Sequence, residues 1–205
     1  MNEQIENSLA FPALETSRKS GDEHFSLRGE PLDLQLLEFW QWSSSDLVSN
    51  AMRGVLAEFL VTSALGLADG VRNQWDAFDL LLADGTRIEV KSAAYLQSWA
   101  HAKLSNIIFT IRPTLAWSSE TNQLSSELRR QADIYIFSLL DHRDKATLDP
   151  MRLEQWKFYL LRSAVLDERF PTQKTISLAS LLKLQPLEAT FENLAERVAE
   201  LVRRK

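Results

Sequence analysis

Trp75 to Lys91 reads WDAFDLLLADGTRIEVK. Two apolar runs, Trp75 to Leu82 and Thr86 to Ala93, flank Ala83-Asp84-Gly85, a three-residue loop with glycine where the left-handed conformation is needed. This predicts a β-hairpin. The loop sets the register: Leu82 faces Thr86, and counting back, Asp79 faces Glu89. Directly opposed residues share a face, with Cβ atoms about 5 Å apart. Glu89 and Lys91, two apart in one strand, share that face too, while Ile88 and Val90 turn to the core. Two acids and an amine therefore converge, and the acids repel unless a cation or a proton sits between them.

The preceding segment adds a fourth group. Asp46 to Leu67 places apolar residues at Leu47, Val48, Ala51, Met52, Val55, Leu56, Phe59 and Leu60, the stripe of an amphipathic helix. Ser43, Ser44, Ser45 and Asp46 are its N-cap candidates, and Gly66 and Gly70 mark its end. Glu58 lies at the edge of the stripe, and Gly54 one turn earlier lets the helix approach the sheet. Carboxylate oxygens are what Mg²⁺ prefers, typically one or two from protein with waters and substrate phosphate. A metal so held makes hydroxide and neutralises charge on a phosphoryl transition state, with the lysine orienting water or balancing charge.

Glu58, Asp79 and Glu89-Val90-Lys91, in this helix–hairpin–strand order, resemble the PD-(D/E)XK nuclease superfamily over roughly residues 46–139. The resemblance implies a restriction-endonuclease-like fold: α/β, three-layer α/β/α, with a central mixed β-sheet. It implies Asp79 and Glu89 as metal ligands, Lys91 as the catalytic lysine, and Glu58 as the accessory acid of the first core helix and a further metal ligand. Mg²⁺ is the expected cofactor, with Mn²⁺ able to substitute. Phe78 stands where the family's motif has proline. Asp76 is a rival to Asp79, because a bulge would reset the register. The competing reading of the cluster is a salt bridge on a sheet edge, which three charges between apolar segments disfavour.

Elsewhere, residues 6–31 read as irregular, with a short turn near Leu9 to Leu14. Leu32 to Trp42 reads as a helix packed on the core. Asn106 to Ile111 is a third strand, Asn122 to Gln131 a helix, Ala132 to Leu139 a buried strand, and Trp156 to Leu161 a further strand. Ser177 to Leu182 and Leu187 to Arg203 read as helices. Residues 1–42 are thus expected as an N-terminal extension, irregular then helical, and residues 43–205 as a nuclease-like core domain with a C-terminal helix.

The segment after Lys91 should lie beside the site. There Gln97 can hydrogen-bond a base or a water, Trp99 and Tyr95 can stack on bases, and Lys103 can meet a phosphate; core or edge packing is the competing role for the aromatics. Arg112, Arg129 and Arg130 are further phosphate-contact candidates. His24, His101 and His142 show no ligand spacing, and no Gly-rich phosphate loop, nucleophile elbow or dinucleotide fingerprint occurs.

Composition bounds the rest. The 205 residues carry a net charge of −5, which excludes a wholly basic nucleic-acid binder. The charge is asymmetric: residues 1–60 hold ten acids and four bases, the remainder eighteen acids and nineteen bases. The absence of cysteine removes disulfides, thiolate metal sites and cysteine nucleophiles. No apolar run approaches the roughly 18 residues of a membrane helix, and no signal peptide is evident, so a cytoplasmic protein without membrane partners is expected. The expected function is metal-dependent hydrolysis of phosphodiester bonds in nucleic acid, DNA foremost. The alternative is a catalytically inactive nuclease-fold module that binds nucleic acid or a protein. Trp40, Trp42 and Trp117, if exposed, would suit a homodimer interface.

Overall fold

The computed structural model describes residue 11, residues 14–118 and residues 121–203. The turn expected near Leu9 to Leu14 falls largely outside them. The chain opens with a hairpin, β1 (His24–Leu27) and β2 (Glu30–Gln35). Its turn holds Arg28 and Gly29 both at positive φ, 56° and 90°. That is the geometry of a tight two-residue hairpin loop. Arg-Gly is not the usual Asn-Gly signature, so this stretch reads as irregular in sequence. Helix α1 (Leu36–Ser44) begins four residues later than Leu32, and none of its residues is buried. The packing of Leu32 to Trp42 onto the core is therefore not what the structure has.

Helix α2 spans Asn50–Ala64, with the Ser49 side chain, not Ser43 to Asp46, accepting the Met52 N–H as cap. The Asp46 carboxylate instead closes the turn before it, accepting the Val48 and Ser49 N–H groups. After an irregular stretch come β3 (Leu80–Leu81) and β4 (Arg87–Ala94). Most of the strand expected from Trp75 is thus irregular. The hairpin register is the expected one: Leu80 pairs with Ile88 and Leu81 with Arg87. Gly85 sits at φ 83° in the loop.

Next are β5 (Ile108–Thr110), β6 (Trp117–Ser118) and β7 (Gln123–Leu124). The helix expected over Asn122 to Gln131 is absent. Thr114 bridges Arg129 and β6 pairs with β7, so this region is an extended arm. Strand β8 (Ile134–Leu140) is buried at every residue. It is followed by β9 (Trp156–Arg162), α3 (Ser163–Arg169), β10 (Thr175–Ser177), α4 (Leu178–Leu182), β11 (Leu187–Ala189) and α5 (Leu194–Arg203). The single helix expected from Leu187 is split because Leu187–Ala189 pairs with β9.

The fold is mixed α/β. The central sheet has the order β11-β9-β8-β4-β3, with β4 and β8 parallel and the other pairs antiparallel. Arg87 ties the parallel pair at its start, its guanidinium donating to both Asp133 carboxylate oxygens at 2.9 and 3.1 Å. One face of the sheet (Ile88, Val90, Ile136, Phe158) packs against Ala57, Leu60 and Val61 of α2 and Leu194, Val198 and Leu201 of α5. The other face (Tyr135, Phe137, Leu139, Leu161) is covered by Phe109 of β5, Ile176 of β10, Leu166 of α3 and Leu181 of α4. That second layer is a two-stranded ribbon with two short helices, because β5 pairs with β10 and not with the central sheet. Among the described residues no helix is long and apolar enough to cross a membrane.

Candidate active site

The site forms where β3 begins. On the N-terminal side of Leu80 the strand ladder stops, and Asp79 bonds to β4 through its backbone N–H and its side chain instead. The Asp79 N–H donates to the Ile88 carbonyl at 3.0 Å, and its Oδ2 accepts the Val90 N–H at 2.6 Å. The carboxylate is thereby held against the free margin of β4, at the register position opposite Glu89. Glu89 and Lys91 emerge from the same face of β4, and the Lys91 ammonium donates to Glu89 Oε1. Their neighbours Ile88 and Val90 are buried under α2. The alternation of one strand thus places an ion pair on one side and core on the other.

Burial pushes the Asp79 carboxyl up to about 7, and the negative charge of Glu89 adds to it. Lys91 and the Val90 N–H oppose that rise, while Glu58 reinforces it. Glu58 reaches Asp79 from α2; both line a cleft of about 390 Å³ between α2, the loop after it and the edge of β3. Arg72 of that loop grips Glu58 with two donors, Nε to Oε2 and Nη2 to Oε1 at 2.9 Å. Arg72 escaped the sequence reading: it stands in an irregular Gly-containing loop, and nothing local links it to a residue fourteen positions earlier. Tyr135 escaped it too. It pairs with Glu89 across the parallel ladder, and burial, then the charge of Glu89, raises its hydroxyl pKa.

Asp76, the rival acid, is exposed in the irregular stretch before β3, outside the register that sets Asp79 opposite Glu89. Among the described residues no three His, Asp or Glu side chains form a ready-made metal cage. Asp79 feels the charges of both Glu89 and Lys91, and Glu58 adds a third acid from α2.

The segment after Lys91 is knitted internally. Gln97 is only 7% exposed. Its amide donates to the Ala94 carbonyl and the Ser105 hydroxyl, and its oxygen accepts from Arg53 of α2 at 3.4 Å. The Gln97 N–H donates to His101 Nε2, and His101 Nδ1 bonds the Lys103 carbonyl at 2.9 Å, an arrangement that requires the proton on Nδ1. Trp99 is 53% exposed and Lys103 is exposed. Arg130, a phosphate-contact candidate by sequence, is buried and donates to the Ile111 and Phe170 carbonyls and to Asp167. Arg129 lies 3.6 Å from Glu127.

Residues 11–180, a span that holds every group of the site, match the family model described as bacteriophage T4 endonuclease IV. The match defines the class: a nuclease, hydrolysing phosphodiester bonds. The chain belongs to the bacteriophage T4 endonuclease IV family. No curated protein and no solved structure matches it.

Proposed function

We propose that this chain is a Mg²⁺-dependent endonuclease acting on DNA, with a site of the PD-(D/E)XK type on a restriction-endonuclease-like sheet. The observation that carries this reading is the meeting of Asp79, Glu89 and Lys91 at the end of the hairpin, with the Asp79 carboxyl raised to about 7. A carboxylate so destabilised favours either a proton or a cation. Mg²⁺ fits the donor set: it takes one or two carboxylates and completes its octahedron with water and phosphate oxygens. Asp79 and Glu89 would hold it, and Glu58, kept in place by Arg72, is the accessory acid. When bound, Mg²⁺ supplies Lewis-acid neutralisation of phosphoryl charge and lowers the pKa of water.

The chain's own groups do the rest. Lys91, oriented by Glu89, positions the attacking water and balances the charge that develops on the non-bridging phosphate oxygens. The Val90 N–H orients Asp79 through its hydrogen bond. Trp99 and Lys103, both exposed on the segment after Lys91, would contact bases and phosphate of the bound strand, with Gln97 bracing that segment from within.

The test is cleavage of single- and double-stranded DNA and RNA with Mg²⁺, Mn²⁺ or chelator. The wild-type protein should cleave DNA only with the divalent ion. Lys91→Ala and Asp79→Asn should each lose about 100-fold or more. Equal rates in all three proteins would refute the assignment, and DNA binding without cleavage would favour an inactive binding module.

A further inference from the structure

The cleft that Asp79 and Glu58 share is more than a passage to the acids. At about 390 Å³ it falls within the ~300–1,000 Å³ range of small-molecule sites. Away from the acids its walls are apolar, and several wall residues are partly open to solvent: Phe59 is 54% exposed, Val71 49%, Leu67 41% and Leu81 56%. Four large apolar side chains left around one concavity are the mark of a surface that covers something. Polar groups are few. The Thr62 hydroxyl donates to the Glu58 carbonyl and keeps its lone pairs, and Asn73, whose oxygen accepts the Trp75 N–H, keeps amide donors. An apolar slot with a few polar points is how a flat heteroaromatic ring is held.

We propose that this cleft receives the nucleobase next to the scissile phosphodiester, with Phe59 as its stacking face. This rests on the nuclease reading above. The occupant is chosen by connectivity: a phosphodiester seated at Asp79 carries a base one sugar ring away, and the apolar cleft begins at Asp79. A base drawn in covers Phe59 and the neighbouring apolar rim, and anchors the strand so that the scissile phosphorus stays at the acids. Phe59 and the cleft are then specificity and positioning elements, distinct from the groups that act on the phosphate.

Gly70 offers a clean way to close the cleft. It lines the cleft, its backbone is open to L-residues, and a Cβ built there meets no heavy atom within 4 Å. Gly70→Phe therefore adds a ring at the cleft wall with no clash at its Cβ, and Phe59→Ala removes an exposed ring without disturbing the core. Two readouts apply. In the first, the cleavage position on a DNA oligonucleotide is mapped, and the base on either side of the bond is replaced by an abasic analogue. Wild-type kcat/KM should fall at least about fivefold when one particular side is abasic. Gly70→Phe and Phe59→Ala should cleave intact and abasic substrates alike, near the lower rate. The second needs no cleavage: amide shifts of Phe59, Thr62 and Gly70 on titration with deoxynucleoside monophosphates, expected for the wild type and lost in Gly70→Phe.

Indifference of the wild type to the abasic substitutions, or no amide response at millimolar nucleotide, would overturn the inference. So would a concentration-dependent dimer abolished by Gly70→Phe with no nucleotide response, which would assign the cleft to a second copy. Wild-type cleavage by Asp79→Asn would instead bring down the nuclease assignment of the acids, a result that the nucleotide titration separates from failure of the cleft.

Discussion

Asp79 governs the charge of the site. Its carboxyl, raised to about 7 by burial and by Glu89, binds a proton more tightly in the folded chain than in the unfolded one. The folded state is thus favoured by this group below about pH 4, and that contribution is lost progressively as pH rises from about 4 to about 7. A divalent ion bound there, as proposed, would compete with the proton, so its stabilising effect should follow the opposite course. Thermal unfolding should show a larger Mg²⁺-induced rise in Tm at pH 8 than at pH 6, and Asp79→Asn should remove most of it; the same rise in the variant would exclude Asp79 as a ligand. The three central groups were readable from one stretch of chain, because a strand's two-residue period and a three-residue loop leave no freedom in which side chains face one another. Arg72, the partner of Glu58, was not readable. Its position depends on how an irregular loop folds back over α2, and no periodicity describes that.

The hairpin and α2 deliver these groups, and each has a point of weakness. Gly85 sits at φ 83°, where an L side chain crowds the backbone. Gly85→Ala should cost about 1–2 kcal/mol in chemical denaturation, and cleavage should fall further than stability if the loop slips and moves Asp79 away from Glu89. Arg53 of α2 is buried, its pKa lowered by burial, and its hydrogen bonds go to neutral oxygens of Val48, Asn50 and Gln97. Gln97 also holds the loop after β4 through Ala94 and Ser105. Truncating it strips a buried cation of an acceptor, so Gln97→Ala should destabilise by about 1–3 kcal/mol, read by urea denaturation. A change within about 0.5 kcal/mol would show that Arg53 recruits water instead. The strong periodic signals of α2, β8 and β9 survive into the structure. The helix expected over Asn122 to Gln131 does not, because two leucines at helical spacing, Leu124 and Leu128, are a weak preference, which the pairing of Thr114 with Arg129 overrides.

The molecule as a whole is held by two apolar clusters, one on each face of the sheet. Phe137 lies fully buried in the cluster on the ribbon side, edge-on to Phe109 at 5.1 Å. Phe137→Ala should cost about 3–5 kcal/mol, measured by calorimetry, since both the ring's burial and the cavity left behind count. Phe137 is also the parallel-ladder partner of Lys91, so the same variant should loosen the site. Local patterning was enough to specify the alternation of β4, the hairpin register and the amphipathic α2, since these follow from backbone periods of two and about 3.6 and from the turn chemistry of Gly85. Long-range pairing was needed for the rest: β5 joins Thr175–Ser177 instead of the central sheet, Leu187–Ala189 becomes an edge strand, and Arg72 closes on Glu58. Short segments carry little intrinsic preference, so which neighbour satisfies their backbone groups and apolar faces is settled only when the whole chain is packed.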